Sequence, residues 1–310
     1  MRAALAVDLG GTQVRAALVG EDGAFLAATS EPTLARDGPE AVIGQIVRML
    51  RQMEGHADGR EILGVGIGAP GPLDLERGVV LHAATLDGWT DVKLSEILSG
   101  RLGRPVRLEN DANVAALGEW MFGGGRGTRH MVFVTVSTGI GGGVIADGRL
   151  LHGRLGMAAE IGHMSISELD TPCACGGFGC WEALAAGPAL ARAANAAAAQ
   201  DPLTSLPRDC AITARDVVEA AAAGDPLAAR LLDREAHWLG VGFANLLHLF
   251  SPERIIVGGG VSAGLDAMRP TIERVMRRQA MPAYRDVPVI RAALGADAGL
   301  AGAAGLILSG

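Results

Sequence analysis

The segment Asp8-Leu9-Gly10-Gly11-Thr12 stands between two short apolar runs, residues 3–7 and 14–19, near the start of the chain. A third run at 25–29 follows a Glu-Asp-Gly turn, so the opening predicts a meander of three strands. A second glycine-rich turn at 137–143 follows the apolar run 131–136 and opens a similar meander. The sequence therefore indicates one architecture used twice, each time with a glycine-rich turn after the first strand.

A third glycine-rich turn, at 258–262, follows a predicted strand at 254–257. Glycine lets backbone N–H groups approach an anion closely, and a neighbouring hydroxyl adds a donor. One such turn is more often a plain hairpin, but three together indicate a nucleotide held between two domains. None continues into Gly-Lys-Ser or Gly-Lys-Thr, and the first joins two strands rather than a strand and a helix. P-loop and dinucleotide-binding folds are therefore excluded.

Strands alternate with helices along the rest of the chain, which predicts an α/β protein. Apolar periodicity predicts helices at about 39–53, 92–102 and 112–120, through most of 181–250, at 265–278 and from about 298. The predicted domains are a small α/β domain, residues 1–113 with a C-terminal helix at about 297–310, and a large α/β domain, residues 114–296. A hinge is predicted near residues 111–114.

The composition and the net charge exclude several classes of protein. The 310 residues are 49% hydrophobic and 20% charged, which excludes general disorder. The 27 basic residues against 34 acidic ones give a net charge of −7, so no nucleic-acid partner is expected. No apolar run is long enough for a membrane span, and the N-terminus lacks the pattern of a signal peptide. We therefore expect a cytoplasmic protein that does not bind membranes.

A cluster of metal-ligating residue types gives the most specific signal. His163, Cys173, Cys175 and Cys180 form a complete set of tetrahedral ligands, and the glycines among them permit tight turns. This spacing predicts a structural zinc site; the alternative is a group of reduced thiols. Cys210 stands apart and is expected to be an ordinary thiol.

The segment Glu109-Asn110-Asp111-Ala112-Asn113 lies where a predicted strand ends and a helix begins. An aspartate at this point commonly caps the helix by accepting a first-turn N–H. The residues alone leave this structural role for Asp111 as open as a catalytic one.

These motifs together resemble a known superfamily. Residues 8–12 resemble the first phosphate loop of the actin, hexokinase and heat-shock ATPases, residues 137–143 their second phosphate loop, and residues 258–262 their adenosine loop. With Glu160-Ile161-Gly162-His163 and the cysteine cluster, the chain resembles the ROK family of sugar kinases and sugar-responsive repressors, and within it the bacterial glucokinases. The resemblance implies a two-domain actin-like ATPase (ribonuclease H-like) α/β fold with its active site in the interdomain cleft.

The resemblance also implies an activity, the ATP-dependent phosphorylation of the 6-hydroxyl of glucose, which begins glycolysis. Asp111 would be the general base, Asp8 would orient Mg²⁺, and His163 would serve both the zinc and the sugar. The implied sugar-binding residues are Gly71, Asn110, Asp111, Glu160, His163 and Glu182. The implied nucleotide-binding residues are Asp8, Gly10, Gly11, Thr12, Thr138, Gly139, Gly258, Gly259 and Gly260.

Several alternatives stay open. Mannose, N-acetylmannosamine, N-acetylglucosamine or fructose could replace glucose, and polyphosphate could replace ATP as the donor. A sugar-binding regulator is less favoured, because family repressors carry a helix-turn-helix domain before the first phosphate loop and only seven residues precede Asp8. A homodimer or higher homo-oligomer is expected from the family alone.

Overall fold

The computed structural model describes residues 1–154, 156–168 and 170–309; Gly310, the last residue of the predicted C-terminal segment, lies outside them. The strands, in chain order, are β1 (Arg2–Leu9), β2 (Gln13–Gly20), β3 (Phe25–Pro32), β4 (Glu61–Ala69), β5 (Leu73–Asp74), β6 (Val79–His82), β7 (Thr90–Val92), β8 (Val106–Asn110), β9 (Met131–Val136), β10 (Ile140–Ala146), β11 (Arg149–Leu150), β12 (Arg254–Gly258) and β13 (Val289–Arg291). The helices are α1 (Gly38–Glu54), α2 (Leu94–Leu102), α3 (Asp111–Phe122), α4 (Trp181–Ala185), α5 (Gly187–Ala198), α6 (Ala214–Ala222), α7 (Pro226–Phe250), α8 (Leu265–Gln279) and α9 (Ala298–Leu308).

Two five-stranded sheets share one topology. The first has the order β3-β2-β1-β4-β8 and the second β11-β10-β9-β12-β13. In the first, β1 is antiparallel to β2 and parallel to β4, and β4 is parallel to β8. In the second, β12 is parallel to both β9 and β13. The predicted α/β class and the repeated meander are confirmed, while the small sheet β5-β6-β7 was not predicted.

The second glycine-rich turn is shorter than predicted, because β10 begins at Ile140 and runs through the glycines. A Cβ at Gly142 would lie 2.7 Å from the carbonyl oxygen of Phe133 and 2.3 Å from Cδ1 of Ile161. Glycine is required here for close packing of a strand, not for a turn. The prediction of a turn over residues 139–143 was therefore wrong beyond Gly139.

The chain divides into two compact units, each described by itself. The first comprises Met1–Arg129, Gly143–Ala159 and Ala292–Gly310, and the second comprises His130–Gly142 and Glu160–Arg291. This division differs from the predicted boundary at residues 113 and 114, because α3 packs along α9 and stays with the first unit. The C-terminal helix lies in the first unit.

The first sheet is covered on both faces. Leu5 and Val7 of β1 point into a core that includes the buried face of α1. Ala4 and Ala6, which alternate with them, pack with the apolar residues of α9. Small residues on this second face let the helix backbone approach the sheet closely.

A search of the described residues for a helix both long and apolar enough to cross a membrane found none.

Candidate functional site

The first turn of α3 is capped by Asn110 rather than by Asp111. Oδ1 of Asn110 accepts hydrogen bonds from the backbone N–H of Ala112, at 2.9 Å, and of Asn113, at 3.3 Å. Asp111 is the first helical residue, and its Oδ1 accepts from the N–H of Ala112, at 2.7 Å. The role of helix cap is therefore filled by a neighbour, and Asp111 is accessible to solvent although the surrounding protein removes part of the hydration of its carboxylate.

Asp8 and Asp111 are both carboxylates with raised pKa values. Loss of hydration on burial raises the pKa of Asp8, the charge of Arg15 lowers it, and the charge of Asp111 raises it further. The pKa of Asp111 is raised by the same loss of hydration, against hydrogen bonds that include one from Asn110. The first unit thus brings two predicted site residues within electrostatic range of each other.

Asp8 has two further neighbours that the sequence analysis did not identify. Its register partner across the first hairpin is Arg15, whose guanidinium forms an ion pair with Asp297. A Cβ on Gly299, in the first turn of α9, would lie 3.1 Å from Oδ2 of Asp8. The hairpin register could have revealed Arg15, since a short turn after β1 places it opposite Asp8. No local signal pointed to Gly299.

Gly71 lies beside the cap of α3. A Cβ on Gly71 would be 3.6 Å from Nδ2 of Asn110, and both Gly71 and the following Pro72 are exposed. Because Oδ1 of Asn110 is occupied by the helix, Nδ2 is the atom through which Asn110 can donate to a ligand. The first glycine turn also belongs to this unit, where Gly10 N–H donates to the carbonyl of Gln13 and Gly11 packs directly against Thr85.

A buried network below Asp111 was also missed. Glu109 is 3% exposed, and its Oε1 accepts from the N–H of Asn110, at 2.9 Å, and from Nδ2 of Asn113, at 3.0 Å. Its Oε2 lies 2.7 Å from Nε2 of His152. The hydrogen bond with Glu109 raises the pKa of His152.

In the second unit, Glu182 contacts the second glycine turn. Its Oε2 accepts from the N–H of Ile140 at 2.9 Å, and a Cβ on Gly139 would lie 2.4 Å from the same oxygen. Thr138 is exposed at the tip of the turn. Glu182 therefore fixes this turn with one oxygen, which leaves only Oε1 for any other ligand.

The third glycine turn lies close to the second. Gly259 has φ +81°, and a Cβ there would be 2.3 Å from the carbonyl oxygen of Val136, the last residue of β9. Gly259 and Gly260 are exposed, whereas Gly258 is buried at the end of β12. The ends of the two parallel strands thus bring Thr138, Gly139 and these glycines to one edge of the sheet.

The predicted zinc ligands converge. The ligand atoms of His163, Cys173, Cys175 and Cys180 all lie within 4.8 Å of one another. Sγ of Cys175 is 3.7 Å from Sγ of Cys180, and Sγ of Cys173 is 3.7 Å from Nδ1 of His163. A zinc–sulfur bond of about 2.3 Å in a tetrahedron requires a sulfur separation of about 3.8 Å, so the donor set fits zinc. Burial raises the pKa of the Cys180 thiol to about 12, and a bound cation would offset that preference for the neutral thiol.

Glu160 and His163 flank a short helical turn, Ile161–His163, that packs on the start of β10. A Cβ on Gly162 would lie 1.9 Å from the carbonyl oxygen of Ile140, so this turn contacts the strand through backbone alone. Glu160 is exposed. The second unit therefore holds Glu160, His163 and Glu182 on segments that all meet β10 or the turn before it.

A scan against protein-family models matches the ROK family over residues 4–309. The chain belongs to the ROK family. It is 40% identical to a glucokinase of Streptomyces coelicolor, over 97% of this chain and 96% of the relative. It is similar to the ROK glucokinase of Streptomyces griseus, solved with glucose and AMPPNP (TM-score 0.81, 37% identity, 99% of this chain and 100% of that one), and to the ROK hexokinase of Thermus thermophilus (TM-score 0.82, 37% identity, 97% of each chain). Its fold is accordingly the actin-like ATPase fold predicted from the glycine turns.

Proposed function

We propose that this chain is an ATP-dependent glucokinase, which transfers the γ-phosphoryl group of ATP to the 6-hydroxyl of glucose. The observation that carries the proposal is Asp111, an exposed carboxylate at the first position of α3 that a neighbouring cap frees from a structural role. The similarity to glucokinases over almost the whole chain supports the same activity.

Asp111 acts as the general base. The 6-oxygen of glucose forms a bond to the γ-phosphorus while the bond from that phosphorus to the bridging oxygen of ADP breaks, and the hydroxyl proton passes to the carboxylate of Asp111. A pKa raised by loss of hydration makes this carboxylate a stronger base than an ordinary aspartate. Because ADP is itself the leaving group, the remaining tasks of the protein are to position the reactants and to stabilise charge on the transferred phosphoryl group.

The glycine turns are assigned to the nucleotide. The N–H groups of Gly11, Thr12, Thr138 and Gly139 would donate to phosphate oxygens, while Gly10, whose N–H donates to the carbonyl of Gln13, would hold the shape of the first turn. Gly258, Gly259 and Gly260 would contact the adenosine. Asp8 would hold Mg²⁺ through its water shell, and the ion would neutralise charge on the phosphates.

The sugar hydroxyls are assigned to Gly71, Asn110, Glu160, His163 and Glu182. Nδ2 of Asn110, the donor of that side chain, and Oε1 of Glu182 are assigned to this task, because Oδ1 of Asn110 holds the first turn of α3 and Oε2 of Glu182 holds the N–H of Ile140. If Nδ1 of His163 binds zinc, its Nε2–H donates to a hydroxyl, so the metal would fix the orientation of a sugar ligand. Zinc has no step of its own in the reaction.

The natural sugar is tested by a direct screen. Purified protein is supplied with ATP and Mg²⁺ and with glucose, mannose, fructose, N-acetylmannosamine or N-acetylglucosamine, and the position of the product phosphate is determined by NMR. We expect glucose 6-phosphate to form with the highest kcat/KM. An N-acetylhexosamine preferred by tenfold, about 1.4 kcal/mol in the transition state, would overturn glucose but not the kinase activity. Polyphosphate in place of ATP tests the donor.

From the family we also expect assembly into a homodimer or larger homo-oligomer, which sedimentation measures. We further expect a cytoplasmic location, where ATP and glucose are available together.

A further inference from the structure

Glu109 is a buried acid whose two oxygens have different tasks. Oε1 holds the start of α3, because it accepts from the N–H of the cap residue Asn110 and from the side chain of Asn113 in the same turn. Oε2 is satisfied by His152, on the segment after β11. Asn113 keeps its bond to Glu109 although its own Oδ1 is buried with no hydrogen-bond partner in the described part of the chain.

Removal of His152 would leave Oε2 of Glu109 buried without a donor. A buried carboxylate oxygen without a partner is costly, so the side chain would turn toward solvent or take up a proton. Either change weakens the two bonds made by Oε1. Asn110 and Asp111 are the residues next to those bonds, and a displacement of about 1 Å at a reacting group can cost 100-fold in rate.

We propose that His152 is a positioning residue for the phosphoryl transfer: through Glu109 it fixes the first turn of α3, and so aims Nδ2 of Asn110 and the carboxylate of Asp111. The effect on rate rests on the proposed function, whereas the effect on the helix turn does not. The contact of His152 that carries this role is the one with Glu109, and a neutral donor at its Nε2 position is sufficient for the task.

The test compares four proteins. His152→Ala removes the donor, His152→Gln keeps an N–H at a similar reach, and His56→Ala, at an exposed histidine of the same unit, is the matched control. We expect kcat for glucose to fall about 10- to 100-fold in His152→Ala and to recover in His152→Gln, with KM for ATP within roughly threefold of wild type throughout. His56→Ala should match wild type.

A merely structural role would instead lower the folded fraction in proportion to the activity, so that kcat per folded molecule would equal that of wild type, and glutamine would not restore the activity. That outcome would overturn the proposal, and so would full activity in His152→Ala.

Hydrogen exchange separates this inference from the proposed function. The amide of Asn110, which donates to Glu109, should exchange faster in His152→Ala than in wild type, and His152→Gln should restore its protection. If wild type phosphorylates no sugar, the glucokinase proposal fails while the amide result still tests the network. Unchanged exchange at residues 110–113 would refute it.

Discussion

At the scale of single residues, Asp111 differs from its neighbours because the helix does not depend on its side chain for capping. Asn110 caps α3 and Glu109 holds the cap, so the helix does not need the Asp111 carboxylate. Asp111→Asn should therefore leave the melting temperature within a few degrees of wild type and keep glucose binding, measured by calorimetry. It should lower kcat by about 10²- to 10⁴-fold, because the amide cannot accept the hydroxyl proton.

The control is Asp286→Asn, at an exposed aspartate of the second unit. It should leave the melting temperature, glucose binding and kcat unchanged. Near-normal turnover of Asp111→Asn would reduce Asp111 to a residue of the helix end.

Glu235 of α7 is the opposite case, a buried acid with an unsatisfied atom. It lines a cavity of about 280 Å³, and its Oε1 has no hydrogen-bond partner in the described part of the chain. Burial raises the pKa of Glu235 well above the usual value, against the charge of Arg234. Between the ordinary pKa and the raised one, the folded protein keeps a proton that the unfolded chain has lost, so stability falls as pH rises through that window.

Glu235→Gln removes the ionisation and keeps the shape. At pH 7.5 the variant should unfold at higher urea concentration than wild type, by an amount within the ordinary range of about 0.5–3 kcal/mol, and the gap should shrink toward pH 4.5. Glu273→Gln, at an exposed position on α8, serves as the comparison and should show no such trend. A gap that is absent at pH 7.5, or that widens in acid, would contradict a buried protonated Glu235.

At the scale of elements, α3 and α9 pack with their backbones nearly in contact. A Cβ on Gly302 of α9 would lie 1.6 Å from the carbonyl oxygen of Val114 of α3, and one on Gly66 of β4 would lie 1.7 Å from the carbonyl oxygen of Ala303. Backbone atoms on both sides leave no flexible group to yield. The contact therefore depends on the absence of side chains at these positions.

Gly302→Ala should destabilise the protein by several kcal/mol, about 3 or more, or prevent its folding, as judged by urea unfolding and soluble yield. The matched change is Gly100→Ala in α2, where a Cβ meets nothing within 4 Å. The free energy of unfolding of that variant should rise by about 0.5–1 kcal/mol, because alanine has less conformational freedom than glycine in the unfolded chain. Equal effects of the two alanines would show that helix propensity, not close packing, governs these glycines.

The elements and their order could be predicted from periodicity and turns, but the contacts between distant segments could not. Each helix predicted in the first unit is present, because apolar spacing and helix-breaking residues act locally. The pairing of Glu109 with His152, 43 positions later, has no local signal. The strand through Gly142 was predicted as a turn because the sequence does not distinguish a glycine in a turn from a glycine in a tightly packed strand.

At the scale of the whole molecule, the predicted metal ligands bring the turn Ile161–His163 together with Cys173, Cys175 and Cys180, which lie before α4. Purified protein should contain about one zinc per chain, and Cys175→Ser should lose most of this zinc. The variant should also have a lower melting temperature and weaker glucose binding, because His163 is assigned to both the zinc and the sugar. Metal content is measured by plasma emission. Cys210→Ser, at an exposed cysteine outside the cluster, should change none of these properties. Active protein without zinc would refute the metal site.

The repeated topology could also be predicted at this scale, since two glycine turns after similar strands were visible in the sequence. The division into compact units could not, because it depends on the packing of α3 against α9 rather than on strand order. The family roles of the site residues remain predictions, although the hydrogen bonds that Asn110 and Glu182 make within the protein now limit how each can act.

Translation order gives the α9 contact a further meaning. Strands β1 and β2 emerge from the ribosome early, yet the face formed by Ala4, Ala6, Ala17 and Val19 is covered by α9, which is made after the second unit. The second unit lies between these early strands and α9 in the sequence. It can therefore complete its folding while the first sheet still has one uncovered apolar face. Asp8 gains its neighbour Gly299 only at that late stage. A nascent chain would thus present an uncovered sheet to chaperones until α9 is made, and the carboxylate at the end of β1 would reach its final surroundings only then.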